Sequence, residues 1–201
     1  MSGFYDELPF GRGKTLYGGT PTDTAYIHPC VGQEYRVRDV WFGTNRMITL
    51  RAVQNQSGAA VLAKRLARLS ADGKALLGYT RLPEEKGFPI DHLLPSGGCA
   101  SYDVCFVVVD GPAMCLTSLS NYGSDIAARD HLNSQTAVTS GATTAGRVDV
   151  RAVVAATTDA TAGQRNVTEQ DGVFARAISA ALTNATNSDI LVDVSTLGPR
   201  G

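Results

Sequence analysis

The sequence predicts a mainly β domain with one or two short helices and an extended N-terminal arm, and three stretches carry that expectation. Ile190-Leu191-Val192-Asp193-Val194 is a short apolar run with Asn, Ser and Asp before it and Gly198-Pro199 after it, the signature of a buried strand with a defined start and end. Val104 to Val109 runs Val, Cys, Phe, Val, Val, Val without a polar break, as a central strand buried on both faces does. Glu34 to Val40 and Met47 to Val53 alternate with period two on either side of Gly43-Thr44-Asn45, which predicts a hairpin.

The chain has 201 residues, enough for one core that buries about 70% of the unfolded surface. We divide it into an arm, residues 1–30, and a single β-rich domain, residues 31–201, with an Ala/Thr-rich insertion at about 134–164. In the arm Phe4, Tyr5, Leu8, Phe10, Leu16 and Tyr17 are interrupted by Pro9, Gly11, Gly13, Gly18 and Gly19, and no helical or strand period survives. Such aromatics either dock on another molecule or cover the chain's own barrel. Trp41 and Phe42, at the hairpin tip, mark a packed corner or a contact site. Together with Phe4, Tyr5, Leu8, Phe10, Leu16 and Tyr17 they are the candidate partner-binding residues.

Between Ser57 and Leu77, Leu62, Leu66 and Leu69 recur at helical spacing, with Lys64, Arg65 and Arg68 on the other face and Ser57 and Gly73 as caps. Periodicity alone predicts a helix with a solvated basic face over residues 57–72. Pro83, Gly87, Pro89 and Pro95 make the next segment a loop. Asp110-Gly111-Pro112 is expected to turn the chain, with Met114 to Leu119 returning as a strand. In the Ala/Thr-rich stretch small side chains bury little area each, although Val148, Val150, Val153 and Val154 suit an edge strand. Thr168 and Asp171 ahead of Val173, Phe174, Ala177 and Ile178 fit a helix over residues 168–182, and Val173 to Ile178 fits a strand as well.

Charge and motifs exclude several function classes. Eighteen basic against nineteen acidic residues give a net charge of -1, without the basic footprint of a dedicated nucleic-acid binder. No apolar stretch reaches the roughly 20 residues that cross a bilayer, and Met1 to Glu7 lacks signal-peptide character, so we expect synthesis and retention in a cytoplasm. The triplets at Asn55, Asn166 and Asn184 are then chance glycosylation matches. Cys30, Cys99, Cys105 and Cys115 are expected as buried free thiols.

Catalytic motifs are weak. Gly11-Arg12-Gly13-Lys14-Thr15 resembles the end of a phosphate loop, but the first glycine is replaced by Leu8 and no strand precedes it. His28, His92 and His131 lack ligand-spaced partners, so neither a metal nor another cofactor is expected. The best enzyme candidate is a thiol, Cys99, with His92 as its base and Gly97-Gly98 amides as an oxyanion hole; only proximity in sequence supports it. Glu84-Glu85 beside Lys86 suits a solvated charge pair. The expectation is a protein that is not an enzyme.

Several segments resemble the head decoration, or capsid cement, proteins of tailed bacteriophages. They are Leu77-Gly78-Tyr79, Lys86-Gly87-Phe88-Pro89-Ile90-Asp91 with Leu93-Leu94-Pro95, Phe106 to Ala113, Ala145-Gly146-Arg147-Val148, Val173 to Ile178, and Asp189 to Val194. The resemblance spans residues 34 to 195 and consists of packing and turn patterns. It implies a compact β-barrel or β-tulip-like domain, makes Val173 to Ile178 a strand and argues against the helix at 57–72. The implied role is structural: binding the outside of a capsid, on the major capsid protein, as a trimer or other small cyclic oligomer, with no nucleic acid, membrane or cofactor partner. The alternatives are another phage component (tail, neck, fibre or shell subunit) or a hydrolase using Cys99 and His92. Removing residues 1–30 is expected to leave the domain folded.

Overall fold

The structure, a computed structural model, describes residues 8–17, 28–80, 85–117, 126–134, 146–150, 175–179 and 188–194. Within them the chain is mainly β, with strands β1 (Glu34–Arg38), β2 (Met47–Asn55), β3 (Leu66–Leu69), β4 (Ala75–Tyr79), β5 (Phe88–Pro89), β6 (Val104–Leu116), β7 (His131–Ser134), β8 (Val148–Val150), β9 (Ala175–Ala177) and β10 (Asp189–Val194). They form one mixed sheet in the order β5-β3-β4-β2-β6-β10-β9-β7-β8, with β1 also on β2. β2 and β4 are parallel, and the other strand pairs are antiparallel.

β6 organises this sheet. Its unbroken apolar sequence is buried on both faces: Val104, Phe106 and Val108 join one core cluster, and Cys105, Val107 and Val109 join another. β2 shares the duty, with Ile48, Leu50 and Ala52 in the first cluster and Val53 in the second. β10 adds Ile190, Val192 and Val194 to the first, which is the buried run expected from its sequence. Each such side chain, buried whole, contributes about 1.5–3 kcal/mol, so these three strands hold much of the stabilising area.

The sheet does not close into a barrel. Its two ends instead return to β6 by single bridges, Ile90 to Val107 beyond β5 and Thr117 to Val148 at β8. The expected β1–β2 hairpin forms, with Glu34 opposite Arg51 and Arg38 opposite Met47, and the edge strand expected at Val148 and Val150 is β8.

The proline-rich segment expected as a loop holds the short strand β5, paired to β3, and two further local expectations fail. The chain does not turn at Asp110-Gly111-Pro112; β6 runs through it and changes partner there, from β2 to β10. The register slips between Thr49 and Leu50 of β2, and such a bulge bends a strand. Gly111 completes the bend, at φ +95°, with its α-carbon face against the Met47 carbonyl. The residues that signalled a reversal therefore build a bend.

The predicted helix at 57–72 is absent, and no helix forms among the described residues. Leu66–Leu69 is a strand held between β4 and β5, closed onto β4 by a turn in which the Gly73 amide donates to Ser70 O. A ladder on both sides outweighs helix propensities worth tenths of a kcal/mol per residue. The basic face is not simply solvated either: Lys64 pairs with Asp189, Arg68 with Glu85, and Arg65 is buried. For Val173 to Ile178 the strand alternative is the one seen, at Ala175–Ala177; the rest of 168–182 and most of the Ala/Thr-rich stretch lie outside the described residues. Asn55 is buried at the end of β2, with its side-chain amide donating to the carbonyls of Ala59, Cys99 and Ala100, so its glycosylation triplet is a structural corner.

Gly111 carries a test. A β-carbon there would stand 2.4 Å from Met47 O in a backbone region that side chains rarely adopt, so Gly111→Ala should cost about 3 kcal/mol. Urea melts of the two proteins measure it; an unchanged midpoint would mean that the bend does not need glycine.

Candidate functional site

Residues 8–17 cross the start of β6 as a strap. The Leu16 amide donates to Val104 O at 3.0 Å and the Val104 amide to Leu16 O at 2.7 Å. Phe10 is buried and stacks on Phe106, with ring centroids 4.2 Å apart and planes 5° from parallel. Leu8 and Leu16 are partly buried against the same cluster.

Between those anchors Arg12 points into the protein. Its Nη2 and Nε donate to the two Asp91 oxygens at 2.6 Å and 3.1 Å, and both side chains are 1% exposed. The guanidinium also lies 3.9 Å from the Trp41 ring centroid, a cation–π contact worth about 2 kcal/mol when desolvated. Arg12 Nη1 is buried without a hydrogen-bond partner, so the Trp41 face is part of what compensates this cation. Gly13, at φ +78°, permits the close approach: a β-carbon there would lie 2.6 Å from Leu93 O.

His92 completes the cluster, with Trp41 and Phe42 ring centroids 6.1 Å and 4.8 Å away. Its Nδ1 lies 3.3 Å from Arg12 Nη2 and 3.5 Å from Asp91 Oδ1. Arginine only donates, so the shorter contact requires Nδ1 to accept. Burial acts to raise the Asp91 carboxyl, while the hydrogen bonds and charge around it lower it by more, holding it below the usual carboxylate range. The shorter, two-pronged Arg12 contacts are the lowering influence that the geometry favours.

Trp41 and Phe42 are held by a second buried carboxylate. Asp39 accepts from the amides of Trp41, Phe42 and Thr44, each at 2.9 Å, and from the Thr44 hydroxyl. Burial works to raise its pKa, and these hydrogen bonds overcome it and lower it. The hairpin tip is thus a packed corner.

A groove of about 610 Å³ opens on the edge formed by β3 and β5, lined by Arg51, Arg68, Lys86, Asp72 and Glu85 among others. Arg51 pairs with Glu34 and Arg68 with Glu85, while Lys86 lies 5.5 Å over Phe88. Burial and then the Arg51 charge lower the Lys86 pKa. The groove offers hydrogen bonds of both charges and suits a polar binding surface.

The residues singled out from sequence scatter. Phe4 and Tyr5 lie outside the described residues. Leu8, Phe10, Leu16, Trp41 and Phe42 turn inward, and Tyr17 alone of the described six faces solvent, at 69% exposure. Sequence reasoning missed the exposed Val40, at 66%, and Met47, at 44%; the signal was there, since Val40 continues the alternation that places Arg36 and Arg38 outward. Cys99 is fully buried, its thiol facing the carbonyls of Asp103 and Ala100, and among the described residues no hydrogen bond joins it to His92. His28 does have a partner: Nδ1 lies 2.9 Å from Cys30 Sγ, where burial raises the thiol. Among the described residues no three His, Cys, Asp or Glu converge to hold a metal ion.

No family model matches the sequence, and no curated protein matches it either.

Two measurements test this cluster. Removing one partner of a buried ion pair strands the other, so Arg12→Ala or Asp91→Ala should each cost about 3–5 kcal/mol, whereas Arg12→Met with Asp91→Leu should recover much of it. Because the Asp91 carboxyl is depressed on folding, its stabilisation is complete above its unfolded value of about 3.9 and is lost as the pH falls through the lower folded value. The urea midpoint should therefore fall more steeply below about pH 5 in the parent than in Asp91→Asn; equal slopes would assign the acid sensitivity elsewhere.

The buried thiols give a further test. Burial raises Cys115, while a hydrogen bond with Cys99, burial and nearby negative charge raise Cys105. Native protein should then react with Ellman's reagent at Cys99, Cys105 and Cys115 only as fast as it unfolds. A rapid burst mapped to Cys99 would revive the thiol-enzyme alternative.

Proposed function

We propose that this chain is a structural protein of a virus particle, a decoration or cement protein that binds the outer surface of a tailed-bacteriophage capsid and links neighbouring capsomers. One observation carries the reading: the stretches that resemble the head-decoration family fall on strands of one sheet or on the turns beside them. Leu77-Gly78-Tyr79 lies in β4, Phe88-Pro89 is β5, Phe106 to Ala113 lies in β6, and Gly146-Arg147-Val148 leads into β8. Ala175–Ala177 is β9 and Asp189–Val194 is β10. A resemblance made of packing patterns is most informative when the patterns pack together.

The role needs no covalent chemistry. The partner is the major capsid protein, together with further copies of this chain in a trimer or other small ring. Each contact is modest, and repetition over a shell supplies the strength through effective concentration. The exposed apolar side chains of Tyr17, Val40 and Met47 give such contacts apolar area, and the strap, fastened at Phe10, Arg12 and Leu16, directs the residues before it from a fixed point.

That fastening changes the truncation to make. Deleting residues 1–30 removes Phe10 and Arg12 from the core, so it would unfold the domain rather than test the arm. Deleting residues 1–7 removes none of the strap's anchors at Phe10, Arg12 and Leu16, so the melting temperature should stay within about 2 °C while occupancy on expanded heads falls. Electron imaging of particles assembled with the full chain should place it on the outer shell surface. Density in the tail or neck, or equal occupancy by both proteins, would overturn the decoration role or the arm's part in it, respectively.

A further inference from the structure

Arg65 stands just before β3 and Arg147 just before β8. The Leu66 amide donates to Gly146 O at 2.6 Å, so the two arginines are the chain neighbours of a hydrogen-bonded pair. Each is only 7% exposed. The Arg65 guanidinium lies 5.2 Å from the centroid of the Tyr79 ring. Gly146, at φ +75°, presses on the same tyrosine, since a β-carbon there would sit 3.0 Å from Tyr79 Cβ.

Arg147 is the residue without an explanation. Its Nε is buried with no hydrogen-bond partner, and among the described residues no carboxylate pairs with it. Burial and then the Arg65 charge lower its pKa. A lysine so placed would shed its proton, but arginine stays charged at any accessible pH. A largely buried, permanent cation beside another cation favours a bound counter-charge. The planar donor fork of a guanidinium matches the oxygens of phosphate or carboxylate.

We propose that Arg147, beside Arg65 and next to the Gly146–Leu66 hydrogen bond, is the centre of a binding site for a small oxyanion. The site is independent of capsid binding: it rests on a buried guanidinium nitrogen without a partner, whatever the protein decorates.

The experiment uses the full chain and measures its melting temperature in sodium phosphate, sodium acetate and sodium chloride at matched ionic strength and low millimolar anion, where general salting effects are small. Phosphate or acetate at a hundredfold excess over its Kd should raise the midpoint by about 5–10 °C over chloride, and Arg147→Gln should abolish the gain. A larger response to phosphate assigns the site to a tetrahedral anion, and a larger response to acetate assigns it to a carboxylate, such as a chain end. Equal midpoints in the three salts, or the same gain in Arg147→Gln, would overturn the proposal. Should that variant not fold, calorimetric titration of phosphate and of acetate into the unaltered protein decides: saturable heat from either supports the site, and its absence from both removes it.

Discussion

A strand buried on both faces leaves its neighbours little choice, and β6 imposes that constraint on the whole sheet. Every side chain from Val104 to Val109 needs an apolar surface, so two separate clusters must be built, one on each side. Every amide along it needs a partner as well, and no single neighbour spans its length: β2 serves the first half and β10 the second. Single bridges add to these, from Leu16 and Ile90 to β6 itself and, just past its end, from Thr117 to Val148. An open sheet whose ends both touch the same strand follows from that requirement.

The strap shows how a polar lock is fitted to an apolar frame. Phe10 and Leu16 supply area, while Arg12 and Asp91 supply register, because a two-pronged contact holds at one alignment only. Burying such a pair gains little net stability over an apolar substitute. What it adds here is connection: the strap, the loop after β5 and the hairpin tip meet through Arg12, Asp91, His92 and Trp41. The Asp39 turn performs the same service one step outward, holding Trp41 and Phe42 in place for the contact.

Long apolar runs were legible. The Val104–Val109 and Ile190–Val194 strands and the β1–β2 hairpin follow from composition and period, because the runs are rich in β-branched residues, too short for a helix and bounded by turn residues. What failed was local punctuation. Asp110-Gly111-Pro112 carries turn residues but serves as a bend, and Leu62, Leu66 and Leu69 share helical spacing while β4 and β5 claim the last two. The Arg12–Asp91 pair was illegible for a different reason: its partners lie far apart in the chain, and nothing in Gly-Arg-Gly-Lys-Thr announces a carboxylate. The aromatics of the strap were correctly noticed, yet sequence offers no rule for which way an aromatic turns.

The change of partner at Gly111 also bears on how the molecule is made. As the chain leaves the ribosome, β2 is already present to receive the first half of β6, while along the second half only Leu116 has an earlier partner, the Lys64 carbonyl, until β10 emerges near the far end of the described chain. Throughout that interval Ala113 and Cys115 face water beside unmet backbone groups, a surface open to pairing with another nascent copy. Pro112, which offers no amide to such a stranger, sits where it shortens that exposed edge during synthesis.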